Sequence, residues 1–247
     1  MKIDTTIVLC AGNGSRMKPF TDFYPKTLLP IKNHIALGLL LEEMLAVQTK
    51  KLVVVVNFGD KLTPKFVKTF LKEKGLKIPL KIVRQQEKSG AGGALLLAKE
   101  YVQGSFLLGF GDDITKASLP VSVQLVKAFN ESQKNVMAVR KVSKAQAKNY
   151  GVLQFSQKHK NWFVPSGIIE KPKAVKNSQF VNFGRYVLKQ NFLEVLATVS
   201  KQPNGEIYLT NAFEKLIKSQ DLVALKFKGK TFDIGTMDNY IKSFKKY

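Results

Sequence analysis

Runs of apolar, mostly β-branched residues alternate with segments of helical periodicity through the first half of the chain. Strands are predicted at 5–10, 52–56, 80–85, 105–110 and 135–142, with helices at 35–48, 64–74, 93–102 and 121–133 between them. This order is typical of βαβ units, in which a helix returns the chain so that the next strand lies parallel to the previous one. The sequence therefore predicts an α/β fold with a Rossmann-like mixed, mainly parallel sheet flanked by helices.

The elements become shorter after Tyr150 and indicate a more antiparallel arrangement. We predict a hairpin of 151–156 against 162–170, strands at 181–188, 222–228 and 231–234, and helices near 190–200, 206–218 and 237–246. No internal repeat and no linker rich in Pro, Gly or Ser separates the two halves. We therefore expect one domain over 1–247, in which the second half inserts into or caps the same sheet.

The composition excludes several classes of protein. Of the 247 residues, 45% are hydrophobic and 23% are charged, which excludes collagen-like and disordered chains. No window approaches the roughly 18 apolar residues of a membrane span, and Met1–Asp4 lead directly into a strand without a signal-peptide pattern. We therefore expect a cytoplasmic protein with no membrane partner. Cys10 has no second cysteine to pair with, and His34 and His159 lie far apart, so a metal would need carboxylate ligands.

The chain is strongly basic, with 40 Lys and Arg against 18 Asp and Glu and a net charge of +22. Such a charge raises nucleic-acid binding as a hypothesis. The lysines are spread along the whole chain, however, without a basic block or a ribbon interleaved with aromatic residues. This distribution indicates a solvated surface that attracts anions, nucleotides included, and argues against nucleic acid as the partner.

A glycine-rich turn follows the first predicted strand, within residues 9–31. Gly12 and Gly14 permit close approach of backbone N–H groups to a phosphate chain. Met17 stands where a dinucleotide fingerprint needs its third glycine, and no Gly-Lys-Ser/Thr of a Walker loop follows. Arg16 and Lys26 supply two cations that suit a polyphosphate whose charge grows during a reaction. The alternative is a strand-to-helix turn with incidental cations.

Aspartates close two of the predicted strands. Asp112 and Asp113 follow the apolar run at 105–110, and Asp233 ends a later strand. Strand alternation predicts that one of the first two faces the ligand crevice and the other faces away. Two carboxylates that meet over a phosphate are the expected ligands of Mg²⁺. The alternative is that Asp112 and Asp113 form a turn or a helix N-cap.

These segments resemble the sugar-nucleotide pyrophosphorylases, whose signature is a strand, a G-x-G-[ST]-R turn and a downstream Pro-Lys. Further segments are similar to one branch, the bacterial UTP:glucose-1-phosphate uridylyltransferases. They are VRQ at 83–85 with SGAGGA after it, GDDI at 111–114, YGV at 150–152, IIEKP at 168–172, FGRYVL at 183–188, GEIYLTNAF at 205–213 and FDIGTMDNYIKS at 232–243. In order and spacing they span nearly the whole chain.

The resemblance implies a nucleotide-diphospho-sugar transferase fold, with a nucleotide-binding half at about 1–144 and a sugar-binding half at about 145–247. It implies transfer of a nucleotidyl group from UTP to glucose 1-phosphate, with UDP-glucose and pyrophosphate as products and Mg²⁺ as cofactor. The implied site comprises catalytic Arg16 and Lys26, nucleotide-binding Ala11, Gly12, Gly14, Gln85 and Gly90, sugar-phosphate-binding Gly151, Glu170, Lys171 and Gly184, and metal-binding Asp112 and Asp233. A homo-oligomer remains open.

The chain departs from the branch at several positions. Asn211 stands where relatives usually have Asp, Gly93 where they have His, and Ser178-Gln179-Phe180 where they have Ser-Asn-Leu, and the segment between Asp60 and Val83 is short. These departures bear on sugar selectivity and turnover more than on the type of reaction. Two alternatives stay open: a thymidylyltransferase or another sugar-1-phosphate nucleotidyltransferase, and a non-catalytic nucleotide- or nucleic-acid-binding regulator with the same fold.

Overall fold

The computed structural model describes residues 3–174 and 179–247, so Ser178 lies outside the described residues. The strands are β1 (Thr5–Leu9), β2 (Pro30–Ile31), β3 (His34–Ile35), β4 (Lys51–Asn57), β5 (Leu80–Gln85), β6 (Phe106–Phe110), β7 (Asp113–Lys116), β8 (Asn135–Lys141), β9 (Gly151–Lys158), β10 (Phe163–Glu170), β11 (Phe180–Leu188), β12 (Leu222–Lys226) and β13 (Lys230–Asp233). The helices are α1 (Phe20–Phe23), α2 (Ala36–Leu45), α3 (Leu62–Glu73), α4 (Gly90–Leu97), α5 (Val121–Ser132), α6 (Lys144–Ala147), α7 (Phe192–Ala197), α8 (Leu209–Lys218) and α9 (Met237–Lys246). Within these residues, no helix is both long and apolar enough to cross a bilayer.

A mixed sheet of nine strands forms the centre of the molecule, in the order β5-β4-β1-β6-β11-β8-β12-β10-β9. Strand β1 pairs in parallel with β4 and β6, and β4 pairs in parallel with β5. Alternate residues of β4 enter opposite cores: Val54 belongs to the core that includes residues of α2, α3 and α5, and Val53 to the core that includes residues of α4, α7 and α8. Burial on both faces explains why the strand reads as a continuous apolar run. The α/β fold predicted from the sequence is confirmed.

The second half inserts into the same sheet, as the sequence predicted. Strand β11 lies between β6 and β8 and runs antiparallel to both, while β12 runs parallel to β8 and the hairpin β9–β10 forms the edge. The single nine-stranded sheet is consistent with one domain, and its division into two functional halves stays a prediction.

Several elements differ from those predicted. Strand β13 leaves the main sheet and pairs with β7, a strand that the sequence did not reveal because DITK is short and begins with the second of two aspartates. The register of this pair sets Asp233 opposite Asp113. Helix α4 begins at Gly90, three residues earlier than expected, because the glycines of SGAGGA continue the helix instead of forming a turn. Residues 30–35 form a small hairpin, β2–β3, ahead of α2.

Candidate active site

Two adjacent cavities open at the carboxyl ends of β1 and β6, where the ligand crevice of such a sheet is expected. The first has a volume of about 530 Å³, and its walls include Ala11, Gly12, Lys26, Phe58, Gln85 and Gly90. The second has about 360 Å³, and its walls include Arg16, Asp113, Arg140, Tyr150, Gly151, Glu170, Gly184 and Asp233. Phe110 and Asp112 line both cavities and therefore stand at their junction.

The glycine turn sets the two predicted cations on opposite sides of this junction. Gly14 adopts a left-handed conformation with φ of 62°, and its carbonyl accepts hydrogen bonds from Met17 N (2.7 Å) and Thr21 Oγ1 (2.8 Å). The short 3₁₀ turn at 15–17 then carries Arg16 into the second cavity. Lys26 lies in the first, where its Cε would be 3.5 Å from a Cβ added to Gly12. A Cβ at position 12 would therefore be in ordinary van der Waals contact with the end of the Lys26 side chain.

Asp112 is the carboxylate on which both cations act. Its Oδ2 forms an ion pair with Lys26, and Arg16 acts on it from the other side. Burial opposes ionisation of this carboxyl, but the charge and hydrogen bond of Lys26, with the charge of Arg16, outweigh it and hold the pKa of Asp112 below its usual value. Asp112 is therefore a carboxylate at neutral pH. The structure thus brings together the two cations that the sequence singled out, but around a carboxylate and from separate cavities.

Asp113 does not face away from the crevice, so that expectation is wrong. It lines the second cavity together with Asp112, because β7 begins at Asp113 and the Gly111 turn breaks the alternation of β6. Its Oδ2 accepts a hydrogen bond from Gly184 N at 3.1 Å, and a Cβ on Gly184 would overlap this carboxyl. Burial and the neighbouring charge of Asp112 raise the pKa of Asp113 to about 7.

Asp233 is held by three hydrogen bonds. Its Oδ2 accepts from Tyr150 Oη (3.1 Å) and Asn239 Nδ2 (2.9 Å), and its Oδ1 accepts from Gly235 N (2.6 Å). A Cβ placed on Gly235 would lie 3.0 Å from Asp233 Oδ1 and 4.0 Å from Asp112 Oδ2. The two carboxylates predicted as metal ligands therefore face the same small space, from which a side chain at position 235 is excluded.

This donor set fits Mg²⁺. Among the described residues, no cluster combines three or more His, Cys, Asp or Glu side chains in a metal-binding arrangement. Mg²⁺ is commonly bound through one or two carboxylates, with substrate phosphates and waters as its other ligands, so Asp112 and Asp233 would suffice. Lys26 contacts the same Asp112 oxygen that faces Gly235, so a bound cation would compete with the ammonium for it.

Gln85 shapes the turn before α4. Its side chain is only 7% exposed, and its Nε2 donates to Ser89 Oγ (2.9 Å) and Gly90 O (3.4 Å). The Nε2 donor of Gln85, which the resemblance places in the nucleotide site, is thus used inside the protein, and the Oε1 acceptor is the group left for a ligand. Gly93 is required here because a Cβ would overlap the Ser89 side chain.

Glu170 and Gly151 lie side by side in the second cavity, whereas Lys171 is not among the residues that line it. Glu170 Oε2 would be 3.2 Å from a Cβ on Gly151, and burial raises the pKa of Glu170, partly offset by Lys171. The Lys171 side chain is largely exposed, with its Nζ 3.8 Å from Glu170 Oε1. Asn211 lines neither cavity.

Comparison with known proteins identifies the family. The nucleotidyl transferase family model matches residues 5–247. A relative named UTP--glucose-1-phosphate uridylyltransferase 2, from Staphylococcus saprophyticus, is 30% identical over 100% of this chain and 92% of its own. A uridylyltransferase of Staphylococcus epidermidis is 28% identical over 100% of this chain and 92% of its own. The chain belongs to the nucleotidyl transferase family. The resemblance seen in the sequence is thereby confirmed.

Solved structures share the fold of this nucleotidyl transferase. A UDP-glucose pyrophosphorylase complexed with UDP-glucose superposes with a TM-score of 0.89 at 24% identity, covering 98% of this chain and 97% of that one. A UTP-bound enzyme from Acinetobacter baumannii gives a TM-score of 0.81 at 23% identity, covering 98% and 92%. Enzymes of this family generally use a divalent metal.

The sequence did not indicate a role for two arginines of this nucleotidyl transferase. Arg185 is completely buried in β11; its Nε donates to Glu43 Oε2 (2.7 Å) and its Nη2 to the carbonyl of Asp113 (2.7 Å). Arg140, at the end of β8, lines the second cavity. In the sequence, each of these arginines is a charged residue inside an apolar strand. This pattern predicts that the arginine has a buried partner, but it does not identify that partner.

Proposed function

We propose that this nucleotidyl transferase catalyses the reaction of UTP with glucose 1-phosphate to give UDP-glucose and pyrophosphate. The relatives that span the whole chain carry the name of this activity. The observation that carries the proposal is the junction of two cavities at Asp112, with Lys26 on one side and Arg16 on the other. Such a junction suits a reaction that joins two phosphate-bearing substrates.

The first cavity suits the nucleotide. Backbone at Ala11 and Gly12 can approach a phosphate chain, and Lys26 supplies a cation beside it. The turn that Gln85 holds, which includes Gly90, would face the base, and Gln85 Oε1 would accept a hydrogen bond from the uracil N–H. Gly14 would act indirectly, through the conformation of the turn.

The second cavity suits the sugar phosphate. The Glu170 carboxylate can accept hydrogen bonds from vicinal hydroxyls, and Gly151 and Gly184 keep its walls free of side chains. Lys171, which follows Glu170 in the chain and has an exposed side chain, would hold the phosphate as a point charge. Arg16 would face this phosphate from the side of the glycine turn.

The chemistry is an in-line displacement. An oxygen of the sugar phosphate attacks the α-phosphorus of UTP, a new P–O bond forms, and the bond to the β-phosphate oxygen breaks so that pyrophosphate leaves with the electron pair. Lys26 and Arg16 would stabilise the charge that develops, and the cavities would orient the two substrates. Asp112 and Asp233 would hold Mg²⁺, which when bound would supply positive charge against the repulsion between the phosphates. We also infer a cytoplasmic enzyme and leave a homo-oligomer as a prediction.

Release of pyrophosphate tests the proposal directly. UTP, dTTP, ATP and GTP would each be paired with glucose 1-phosphate and galactose 1-phosphate in the presence of Mg²⁺. We expect the highest kcat/KM with UTP and glucose 1-phosphate. A higher value with dTTP would make the chain a thymidylyltransferase, and binding of nucleotides without turnover of any pair would favour a non-catalytic regulator.

A further inference from the structure

A third cavity, of about 750 Å³, lies between the end of β8, the turn from β12 to β13 and helix α9. Six of its sixteen lining residues are basic, whereas Lys and Arg make up 40 of the 247 residues of the chain. The six are Arg140, Lys141, Lys226, Lys230, Lys242 and Lys246. The fraction of basic residues in the cavity wall is thus more than twice the fraction in the whole chain.

The six basic residues around the cavity lack ion-pair partners within the described part of the protein, although the charge of Arg140 acts on the Asp113 carboxyl. Asp233 is the one acidic residue in the wall, and it already accepts hydrogen bonds from Tyr150, Asn239 and Gly235. The five lysines are exposed at the rim, so a ligand can reach them.

Arg140 provides a fixed cation in the inner wall. Its guanidinium packs over the rings of Tyr150 (5.0 Å) and Phe183 (5.5 Å), and its Nη1 donates to Thr231 Oγ1 at 2.9 Å. Its Nε is buried and, within the described residues, has no hydrogen-bond partner. A guanidinium with unused donors is energetically unfavourable when desolvated, and an anion beside it would offset that cost. Arg140 therefore distinguishes this cavity from a patch of solvated lysines.

We propose that the third cavity is a second anion site, which binds the oligophosphate chain of a small molecule. Its volume lies within the range of small-molecule sites, and flexible ammonium groups around a fixed guanidinium suit several phosphates at once. Nucleic acid would favour an extended basic groove, whereas these cations surround a single open concavity of about 750 Å³. The site is separate from the two candidate substrate cavities but adjoins the second, because Arg140, Tyr150, Asp233 and Asn239 line both.

Binding of inorganic tripolyphosphate, measured by calorimetry at physiological salt, tests the proposal. All proteins would carry Arg16→Ala and Lys26→Ala, which weaken the phosphate grip of the first two cavities. In this background K230A/K242A/K246A removes three rim charges, and K65A/K68A/K72A removes three exposed charges from α3 as a matched control. We expect about tenfold weaker binding in the cavity variant and a change within about twofold in the control. Equal losses in both, or no binding by the parent protein, would overturn the proposal.

A second pair of measurements identifies the source of the phosphates and the position of the ligand. ATP should compete with tripolyphosphate in the parent protein, and Arg140→Gln should weaken both without lowering Tm. Tighter binding of a 20-nucleotide single strand through the same lysines would replace the proposal with a nucleic-acid surface. The outcome is independent of the proposed function, because a protein that fails to make UDP-glucose can still bind tripolyphosphate, and the reverse also holds.

Discussion

The first and second cavities are built in different ways. The first is formed by short continuous segments, chiefly 9–13 after β1 and 85–94 after β5, at the carboxyl ends of parallel strands. The second draws side chains from the glycine turn, β7, β8, β10, β11 and β13, which lie far apart in the chain. The parallel half of the sheet thus forms its cavity from short continuous segments. The antiparallel half forms its cavity from side chains that are far apart in the sequence.

Their electrostatics differ accordingly. The wall of the first cavity contains much backbone and the apolar side chains of Leu9 and Cys10. The second contains four carboxyl groups, those of Asp112, Asp113, Glu170 and Asp233, with Arg16 and Arg140 beside them. The second cavity thus has four half-buried carboxyl groups where the antiparallel strands join the sheet. The first has two, those of Asp112 and Glu206, with Lys26 half-buried and Glu87 and Lys88 at exposed positions.

Loss of either predicted metal ligand should have the largest effect. Asp112→Asn and Asp233→Asn keep the shape but remove charge, so kcat/KM for pyrophosphate release should fall by about 10³-fold or more. Mn²⁺ binding in the presence of UTP, followed by EPR, should weaken in both variants. Asp238→Asn, on the exposed side of α9, is the matched control. If either variant kept activity within tenfold of the wild type, the assignment of a metal site to these aspartates would be wrong.

Removal of the buried arginine should destabilise the antiparallel half. Arg185→Met leaves Glu43 as an uncompensated buried charge, which typically costs about 3–5 kcal/mol in free energy of unfolding. Urea denaturation measures this, with the exposed Arg84→Met as control. The double variant with Glu43→Gln should regain part of the loss. If both arginine variants lost the same stability, the ion pair would not hold β11 to α2.

The two cations should act together although they lie in different cavities. Lys26→Ala and Arg16→Ala should each lower kcat/KM by about 10²-fold, because each stabilises charge at the junction. The double variant should lose less than the product of the two, since both act on Asp112. Lys18→Ala, which removes only an exposed ion pair, is the control. Fully multiplicative losses would mean that the cavities work independently.

Substitutions in the two cavities should change the KM values of different substrates. Gln85→Ala frees the turn at Ser89 and Gly90, so KM for UTP should rise by about tenfold with little change for glucose 1-phosphate. Glu170→Ala should instead raise KM for glucose 1-phosphate. Exposed Gln103→Ala provides the control for the first change. If Gln85→Ala changed only the KM for glucose 1-phosphate, the first cavity would be the sugar-phosphate site and the second the nucleotide site.

The reactivity of Cys10 reports on the apolar wall of the first cavity. Burial, with the charges of Asp112 and Asp60, raises the pKa of the Cys10 thiol. Its thiolate therefore does not form as the pH rises from 7 to 9, whereas an unfolded cysteine ionises near pH 8.5. Native protein should react with a disulfide reagent about 10²-fold more slowly than protein in urea, at both pH values. Rapid labelling of the native protein at pH 9 would show that this wall is open to solvent.

Several features of the protein follow from the sequence by itself. The apolar runs and helical periods predict the α/β fold because burial on both faces of a parallel sheet leaves a pattern within each short segment. The glycine turn with Lys26 and the aspartates after β6 are equally local, because strand ends and turns are marked by residue type. The resemblance of ordered motifs then supplied the family, which the comparisons confirm.

Other features were decided only by the tertiary structure. Pairing of β7 with β13 sets Asp233 opposite Asp113, and the Gly111 turn carries both Asp112 and Asp113 into one cavity. Neither could be predicted, because β7 is too short and polar to show a period. The partner of Arg185, like the concentration of cations around Arg140, depends on residues brought together from distant parts of the chain. Sequence patterns report which residues need burial or a partner, and only the packing of strands from both halves determines which partner each one finds.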